Sequence, residues 1–231
     1  MLELFPAGFE ELETHDALEL AAYTNAAGEE RIWQAFGGAA ATEIEEGWEE
    51  RWRQFHRPVR VGPLWIGPPW EEPDADATAI VIDPGRAFGT GGHPTTRLCL
   101  QLLQREGHGS FLDVGCGSGV LAIAAVKLGF DPVLAIDFDP QAIEATERNA
   151  VDNDVVVDVR LADLRDEALP ESDLAVANIA GDAVVALGGR LSARRAITSG
   201  YLVSDEPELA GYRRLERIAE GGWAADLHAR A

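Results

Sequence analysis

Short apolar runs alternate with segments of helical periodicity along the second half of the chain. Two segments, Gly119–Leu128 and the one that begins at Pro140, repeat apolar residues with the period of a helix. Around them lie apolar runs typical of buried strands: Phe111–Gly115, Pro132–Asp137, Val155–Leu161, Asp173–Asn178 and Ile197–Val203. This alternation of strand and helix predicts an α/β fold with a doubly wound, mostly parallel sheet.

The C-terminal residues predict a different local structure. Tyr212–Ala219 and Trp223–Ala229 are strand-like and flank Gly221-Gly222. Glycines adopt the positive φ angles that a two-residue hairpin turn requires. We therefore expect residues 79–231 to form a Rossmann-like doubly wound sheet that ends in an antiparallel hairpin.

Prolines, glycines and acids separate this pattern from the N-terminal part of the chain. They concentrate between residues 62 and 78, where they disfavour both helices and ladder hydrogen bonds. The sequence therefore predicts three parts: a small α+β domain over residues 1–46, a linker segment over 47–78 and the α/β domain over 79–231.

Charge narrows the classes of partner. The 231 residues include 19 Lys and Arg against 40 Asp and Glu, a formal net charge of −21. A surface with this much negative charge repels phosphate backbones and anionic lipids, and it attracts basic proteins. We therefore expect neither nucleic-acid binding nor membrane binding. No apolar run approaches the roughly 18 residues of a spanning helix and no export signal is recognisable, so a cytoplasmic location is expected. Cys99 and Cys116 are too few for a disulfide framework or a four-cysteine zinc site, and no metal site is expected.

The sharpest motif is Asp113-Val-Gly115-Cys-Gly117-Ser-Gly119, at a predicted strand–helix junction. Glycines let a ligand approach the backbone, and the helix that follows offers its positive end. The dinucleotide-binding fingerprint places its third glycine five positions after the first, whereas here the separation is four and an acid leads the motif. This spacing favours S-adenosylmethionine, which has no pyrophosphate; a purely structural turn is the alternative.

Two further acids follow the next strands. Asp137 ends the second strand, 22 residues after Gly115, where a carboxylate accepts hydrogen bonds from both hydroxyls of a ribose. Asp163 follows the third strand, where a polar residue can meet an adenine amino group. A helix-capping or loop role for Asp163 is an open alternative.

Asn178 ends the fourth strand and is the candidate catalytic residue. Because parallel strands place their carboxyl ends at one edge of the sheet, Asn178 should face the same crevice as Gly115 and Asp137. An amide oxygen there can accept a hydrogen bond from a lysine amine without raising its pKa as a carboxylate would. The alternative is that Asn178 caps the next helix.

The run Phe88-Gly-Thr-Gly-Gly-His-Pro-Thr-Thr96 predicts a loop lying over a ligand. Thr95 and Thr96 would lead into a helix over Arg97–Arg105. For His93, a hydrogen bond that orders the loop is favoured over a catalytic or metal-binding role, because no second histidine or cysteine follows at ligand spacing.

These residues together resemble the PrmA-type methyltransferases of ribosomal protein L11. The resemblance rests on DPGRAFGTGGHPTTRLCL, LDVGCGSGVLAIAAVKLG, AIDFDPQAIEATERNA and VANI, and upstream on GWEERWRQFHRPVRVGPLWIGPPW with its residues Trp48, Trp52, Phe55 and Trp65. It implies an S-adenosylmethionine-dependent enzyme that methylates lysine side chains and the N-terminal amine of a basic ribosomal protein. The positions that carry over as cofactor-binding residues are Thr96, Gly115, Asp137 and Asn178, and we add Gly117 and Asp163.

The resemblance also implies an N-terminal substrate-recognition domain, which is shortened here because only about 45 residues precede Gly47. Two alternatives stay open beside methylation of this ribosomal protein. The chain could methylate another protein or a small molecule, or it could be a catalytically decayed cofactor-binding protein of ribosome assembly. The glycine spacing disfavours an NAD-dependent oxidoreductase.

Overall fold

The computed structural model describes part of the first unit and most of the second. The chain divides into two compact units, Met1–Arg53 and Gln54–Ala231. In the first unit, strand β1 (Glu10–Glu13) pairs antiparallel with β2 (Leu18–Ala21). The described residues are 10–13, 18–21, 32, 35–36, 56–84, 91–163 and 169–231.

The second unit begins with a three-stranded sheet, of which two strands lie inside the segment predicted as a linker and the third extends beyond it to residue 81. Its strands are β3 (Val59–Val61), β4 (Leu64–Gly67) and β5 (Thr78–Val81), with β3–β4 antiparallel and β4–β5 parallel. Gly62, at φ +57°, permits the tight turn between the first two strands. Every residue of β4 is buried, so burial stabilises strands among prolines that alone disfavour them. The proposed three-part division of the chain stays a prediction.

The main sheet of the second unit has seven strands. They are β6 (Phe111–Val114), β7 (Val133–Asp137), β8 (Asp158–Leu161), β9 (Glu171–Asn178), β10 (Ser192–Leu202), β11 (Tyr212–Glu220) and β12 (Trp223–Arg230). Their order across the sheet is β11-β12-β10-β9-β6-β7-β8. β8, β7, β6, β9 and β10 are parallel, and β12 is antiparallel to both of its neighbours. The predicted doubly wound sheet with a C-terminal hairpin is confirmed.

In the described part of the second unit, four helices connect the strands. They are α1 (Pro94–Leu103), α2 (Val120–Lys127), α3 (Pro140–Asp152) and α4 (Gly181–Leu187). α1 and α3 each begin with proline after a capping side chain, because proline suits the first helical turn, where its missing N–H is not needed. Among the described residues, the helices are too short or too polar to cross a bilayer.

Apolar side chains pack on both faces of this sheet. One cluster includes Phe111, Leu98 and Ile123, and the other includes Leu112 and Leu187. The side chains of neighbouring residues in β6 thus point to opposite faces of the sheet, and the whole strand is buried. The chain order reverses between β6 and β9, so a crevice opens beyond their carboxyl ends, the usual ligand position in such sheets.

Candidate functional site

The glycine turn lies between β6 and α2, at the switch point of the sheet. Gly115 and Gly119 have φ angles of +77° and +80°, which side chains rarely tolerate. A Cβ at Gly115 would lie 2.6 Å from Cγ2 of Ile179, and one at Gly119 would lie 2.7 Å from Cγ2 of Thr146. Both positions therefore require glycine, and the turn packs closely against Ile179 and Thr146.

Asp137 is aimed at this turn from the end of β7. One carboxylate oxygen accepts the N–H of Gly117 at 3.0 Å, and the other accepts the N–H of Asp139 at 3.0 Å. The side chain is largely buried but not closed off. Because each carboxylate oxygen offers about two lone pairs, both can accept a further hydrogen bond from a ligand hydroxyl.

Asp113 is buried beneath the turn. Its Oδ2 accepts the N–H of Ala122, in the first turn of α2, at 3.0 Å. Its Oδ1 has no hydrogen-bond partner among the described residues. Burial raises the pKa of Asp113 to about 7, and the negative charge of Asp137 adds to the rise, while the bond from Ala122 opposes it. An unsatisfied buried acceptor next to a glycine turn fits a ligand that carries a donor or a positive charge.

This raised pKa predicts a pH-dependent stability. The folded protein retains the Asp113 proton up to about pH 7, whereas the unfolded chain releases it near its ordinary pKa of about 3.9. The native state binds more protons in this window, so the free energy of unfolding should fall as pH rises through it. Asp113→Asn keeps an acceptor for Ala122 and cannot ionise. It should stabilise the protein above about pH 7, by at most about 4 kcal/mol, with the advantage vanishing towards about pH 4.

Urea unfolding of the ligand-free wild type and of Asp113→Asn across this pH range checks the expectation. A constant difference between the two stability curves would contradict it.

Asn178 and Thr96 meet at the carboxyl edge of the sheet. The amide Nδ2 of Asn178, at the end of β9, donates to Oγ1 of the buried Thr96 at 3.4 Å. This orientation leaves the amide Oδ1 as an acceptor. The alternative that Asn178 caps the next helix is wrong, since Ala180 is the N-cap residue of α4 and makes no side-chain cap bond.

His93 caps α1. Its Nδ1 lies 2.7 Å from Oγ1 of Thr95 and accepts the Thr95 backbone N–H, which confirms the loop-ordering hydrogen bond. Its ring meets Trp223 of the hairpin edge-on, with centroids 4.8 Å apart. Burial and the positive charge of Arg97 lower the pKa of His93 and favour the neutral ring.

Part of the predicted ligand loop lies outside the described residues, which resume at Gly91. A Cβ at Gly91 would lie 2.5 Å from Cγ2 of Ile66, so the loop packs tightly on β4 where it can be described. Trp48, Trp52 and Phe55 also lie outside the described residues, whereas Trp65 is buried in β4.

Asp163 lines a pocket at the sheet edge, together with Ile136, Leu161, Leu169 and other residues of β7 and β8. Ala162, which precedes Asp163, is hydrogen-bonded to the end of β7, because its N–H donates to the Asp137 carbonyl at 2.8 Å. The structure therefore brings Gly115, Gly117, Asp137 and Asp163 to one edge, with Thr96 and Asn178 across the switch point.

Phe138 is a further candidate residue, outside the motifs that the sequence offered. Its side chain is 68% exposed directly after Asp137, which is unusual for a large aromatic residue beside a buried strand. An exposed ring here can pack against a flat ligand such as adenine. The signal was available in the sequence, as an apolar residue that follows a strand-end acid.

A seven-stranded sheet of this order, with a glycine turn after β6 and an acid at the end of β7, defines an α/β methyltransferase fold. The tRNA (uracil-54, C5)-methyltransferase of Pyrococcus abyssi shares this fold at 18% identity and a TM-score of 0.52, over 75% of this chain and 44% of that one. The chain belongs to the family described as ribosomal protein L11 methyltransferase (PrmA), whose model matches residues 10–212.

Individual relatives agree with this assignment. The ribosomal protein L11 methyltransferase of Laribacter hongkongensis is 47% identical over 66% of this chain and 54% of its own length. That of Cupriavidus pinatubonensis is 41% identical over 86% of this chain and 68% of its own length. The crystal structure of the ribosomal protein L11 methylase from Lactobacillus delbrueckii subsp. bulgaricus superposes with a TM-score of 0.67 at 30% identity, over 76% of this chain and 99% of that one. The chain thus spans between about half and two thirds of these two curated relatives.

Proposed function

We propose that this chain is an S-adenosylmethionine-dependent protein methyltransferase that acts on amines of ribosomal protein L11. The names of its relatives support the substrate. The observation that carries the reaction is the Asn178–Thr96 pair, which presents an amide oxygen at the same sheet edge as the glycine turn and Asp137.

The residues of the crevice fit the proposed cofactor. Gly115 and Gly117 would let it lie against the backbone, and Asp137 would accept hydrogen bonds from its ribose hydroxyls. The unpartnered Oδ1 of Asp113 supports a ligand with a positive charge or a donor nearby. Asp163 and Phe138 would border the adenine. When bound, S-adenosylmethionine supplies a methyl group on a positively charged sulfur, already activated for displacement.

The protein must then present a neutral amine to the methyl group. A lysine amine with a pKa of about 10.4 is deprotonated in only about 1 molecule in 2,500 at pH 7, a cost of roughly 4.6 kcal/mol. The Asn178 oxygen would accept one N–H of the neutral amine and direct its lone pair, and Thr96 would hold that oxygen in place. A carboxylate at this position would stabilise the charged amine instead.

Charge supports a basic substrate. The chain carries 40 acids against 19 Lys and Arg, so a lysine-rich ribosomal protein would be attracted over distances of about a Debye length. The same charge disfavours direct binding to nucleic acid and to anionic membranes. Methylation of lysine side chains and of the N-terminal amine is the finer proposal, with a cytoplasmic location to match.

Mass spectrometry of purified L11 after incubation with the protein and S-adenosylmethionine tests the proposal. We expect mass increments of about 14 Da per methyl group on lysines or the N-terminus. A bacterial lysate treated in parallel serves as the comparison. Methylation of other proteins with L11 unchanged would favour a different substrate. Cofactor binding without any methylation would favour the decayed cofactor-binding protein.

A further inference from the structure

A buried polar stripe on α3 lies behind the glycine turn. Thr146 and Asn149 lie in α3 and Asn153 is its C-cap residue; the three are spaced three and four residues apart, so they share one face of the helix. Their exposed fractions are 0%, 2% and 7%. Buried polar side chains require partners, and here the partners are backbone groups of the segments around the site.

Asn149 bridges two of these segments. Its Nδ2 donates to the carbonyl of Ser118, within the glycine turn, at 2.8 Å. Its Oδ1 accepts the N–H of Asp83 at 3.2 Å. Asp83 follows β5 and precedes the chain that runs to His93 and α1. One side chain therefore links the turn proposed to hold the cofactor with the start of the segment that leads to Thr96.

Thr146 holds the same turn one residue earlier. Its hydroxyl donates to the carbonyl of Gly117 at 3.1 Å. A trans peptide points its N–H opposite to its C=O, so fixing the carbonyls of Gly117 and Ser118 also fixes the directions of the next two N–H groups. α3 thus determines the orientation of the turn from behind.

Asn153 makes similar bonds without touching the turn. Its side chain exchanges hydrogen bonds with the N–H and C=O of Val81 at 2.9 and 2.6 Å, and also donates to the carbonyl of Asn149. It fastens α3 to β5 only. Asn153 therefore attaches the helix to β5, whereas Asn149 also holds the glycine turn.

We infer that Asn149 is a positioning residue that couples the glycine turn to the Asp83 backbone, and so fixes the orientation of the turn that would hold the cofactor. The inference rests on the proposed function, because it assumes that the turn binds S-adenosylmethionine. The side chain acts through Ser118 and Asp83, and it need not touch the cofactor.

Asn149→Asp isolates the half of the bridge that holds the turn. The variant retains an acceptor for the Asp83 N–H, but it places a carboxylate oxygen against the Ser118 carbonyl where a donor was. Asn153→Asp makes the same chemical change one helical turn away, against Val81. Calorimetry with S-adenosylhomocysteine should show a loss of affinity of about ten-fold or more for the first variant and less than about three-fold for the second. Equal losses of affinity in the two variants, at equal losses of thermal stability, would overturn the inference.

A measurement on the wild type covers the case in which Asn149→Asp does not fold. In the ¹⁵N-labelled protein, the side-chain amide resonances of Asn149 should shift on titration with S-adenosylhomocysteine, while those of Asn153 move less. If the wild type does not bind the ligand, the proposed function fails. If it binds and the Asn149 resonances do not move, the proposed function survives and the positioning role is wrong.

Discussion

Asn178→Ala is expected to lower kcat for methyl transfer by about two to three orders of magnitude, with measurable affinity for S-adenosylhomocysteine kept. A positioned hydrogen-bonding group at a reacting centre typically contributes a factor of this size. The side chain is half-buried and its Nδ2 is already engaged with Thr96, so its oxygen is free to orient an incoming amine. Single-turnover kinetics with L11, together with calorimetry, separates the two quantities.

Two companion variants sharpen this test. Thr96→Val removes the oxygen that accepts from the Asn178 amide and should give a smaller loss of kcat. Thr95→Val is the matched control, since Thr95 is equally buried but bonds to His93 instead. If Asn178→Ala lowers affinity and kcat in equal measure, Asn178 serves to hold the cofactor or the fold. The proposed orientation of the amine would then be wrong.

The main elements of the site could be predicted because they combine local motifs with a topological rule. Gly115, Asp137 and Asn178 each end a strand with a clear apolar pattern. Parallel strands bring their carboxyl ends to one edge, so three positions far apart in sequence could be expected in one crevice. In the structure all three residues lie at this edge. Two hydrogen bonds form there, one between Gly117 and Asp137 and one between Asn178 and Thr96.

The polar face of α3 could not be predicted in the same way. In an amphipathic helix, threonine and asparagine usually belong to the solvent side, and the pattern alone does not show that a backbone segment packs there. Thr146 and Asn149 are buried because the glycine turn and the chain after β5 supply carbonyl and N–H partners. Such partners depend on tertiary structure.

The C-terminal hairpin contains a buried carboxylate that could not be predicted either, because its partners also depend on tertiary structure. Asp226 on β12 is fully buried, although an aspartate in an alternating strand pattern suggests a solvent-facing position. Burial alone would raise its pKa, but bidentate bonds from Arg217 at 2.7 and 2.8 Å and a bond from Tyr201 at 2.9 Å hold the pKa below its usual value. The cross-strand register that pairs Arg217 with Asp226 is not visible in the sequence.

Strand β10 extends further than the apolar run that predicted it. The prediction began at Ile197, whereas the strand begins at Ser192. Arg194 and Arg195 interrupt the apolar pattern, yet Arg195 pairs with Glu106 at 2.8 Å and Arg194 with Asp173 at 3.5 Å. The strand continues through both residues because its backbone pairs with β9 from Ser192 to Ser199.

Asp137→Ala is expected to weaken binding of S-adenosylhomocysteine by about 100-fold. Two charge-assisted hydrogen bonds to ribose hydroxyls, at about 1.5 kcal/mol or more each, account for a loss of this size. The substitution also frees the N–H groups of Gly117 and Asp139, which loosens the turn and adds to the loss.

Asp139→Ala provides the matched control for Asp137→Ala. It removes a neighbouring carboxylate that caps α3 through the Gln141 N–H at 2.9 Å, which should cost about 1 kcal/mol of stability and leave affinity within about three-fold. Calorimetry on both variants, at a temperature where both are folded, distinguishes ligand contact from general destabilisation. Similar affinities for wild type and Asp137→Ala would remove the carboxylate from the ribose site. The glycine turn alone would then have to account for nucleoside binding.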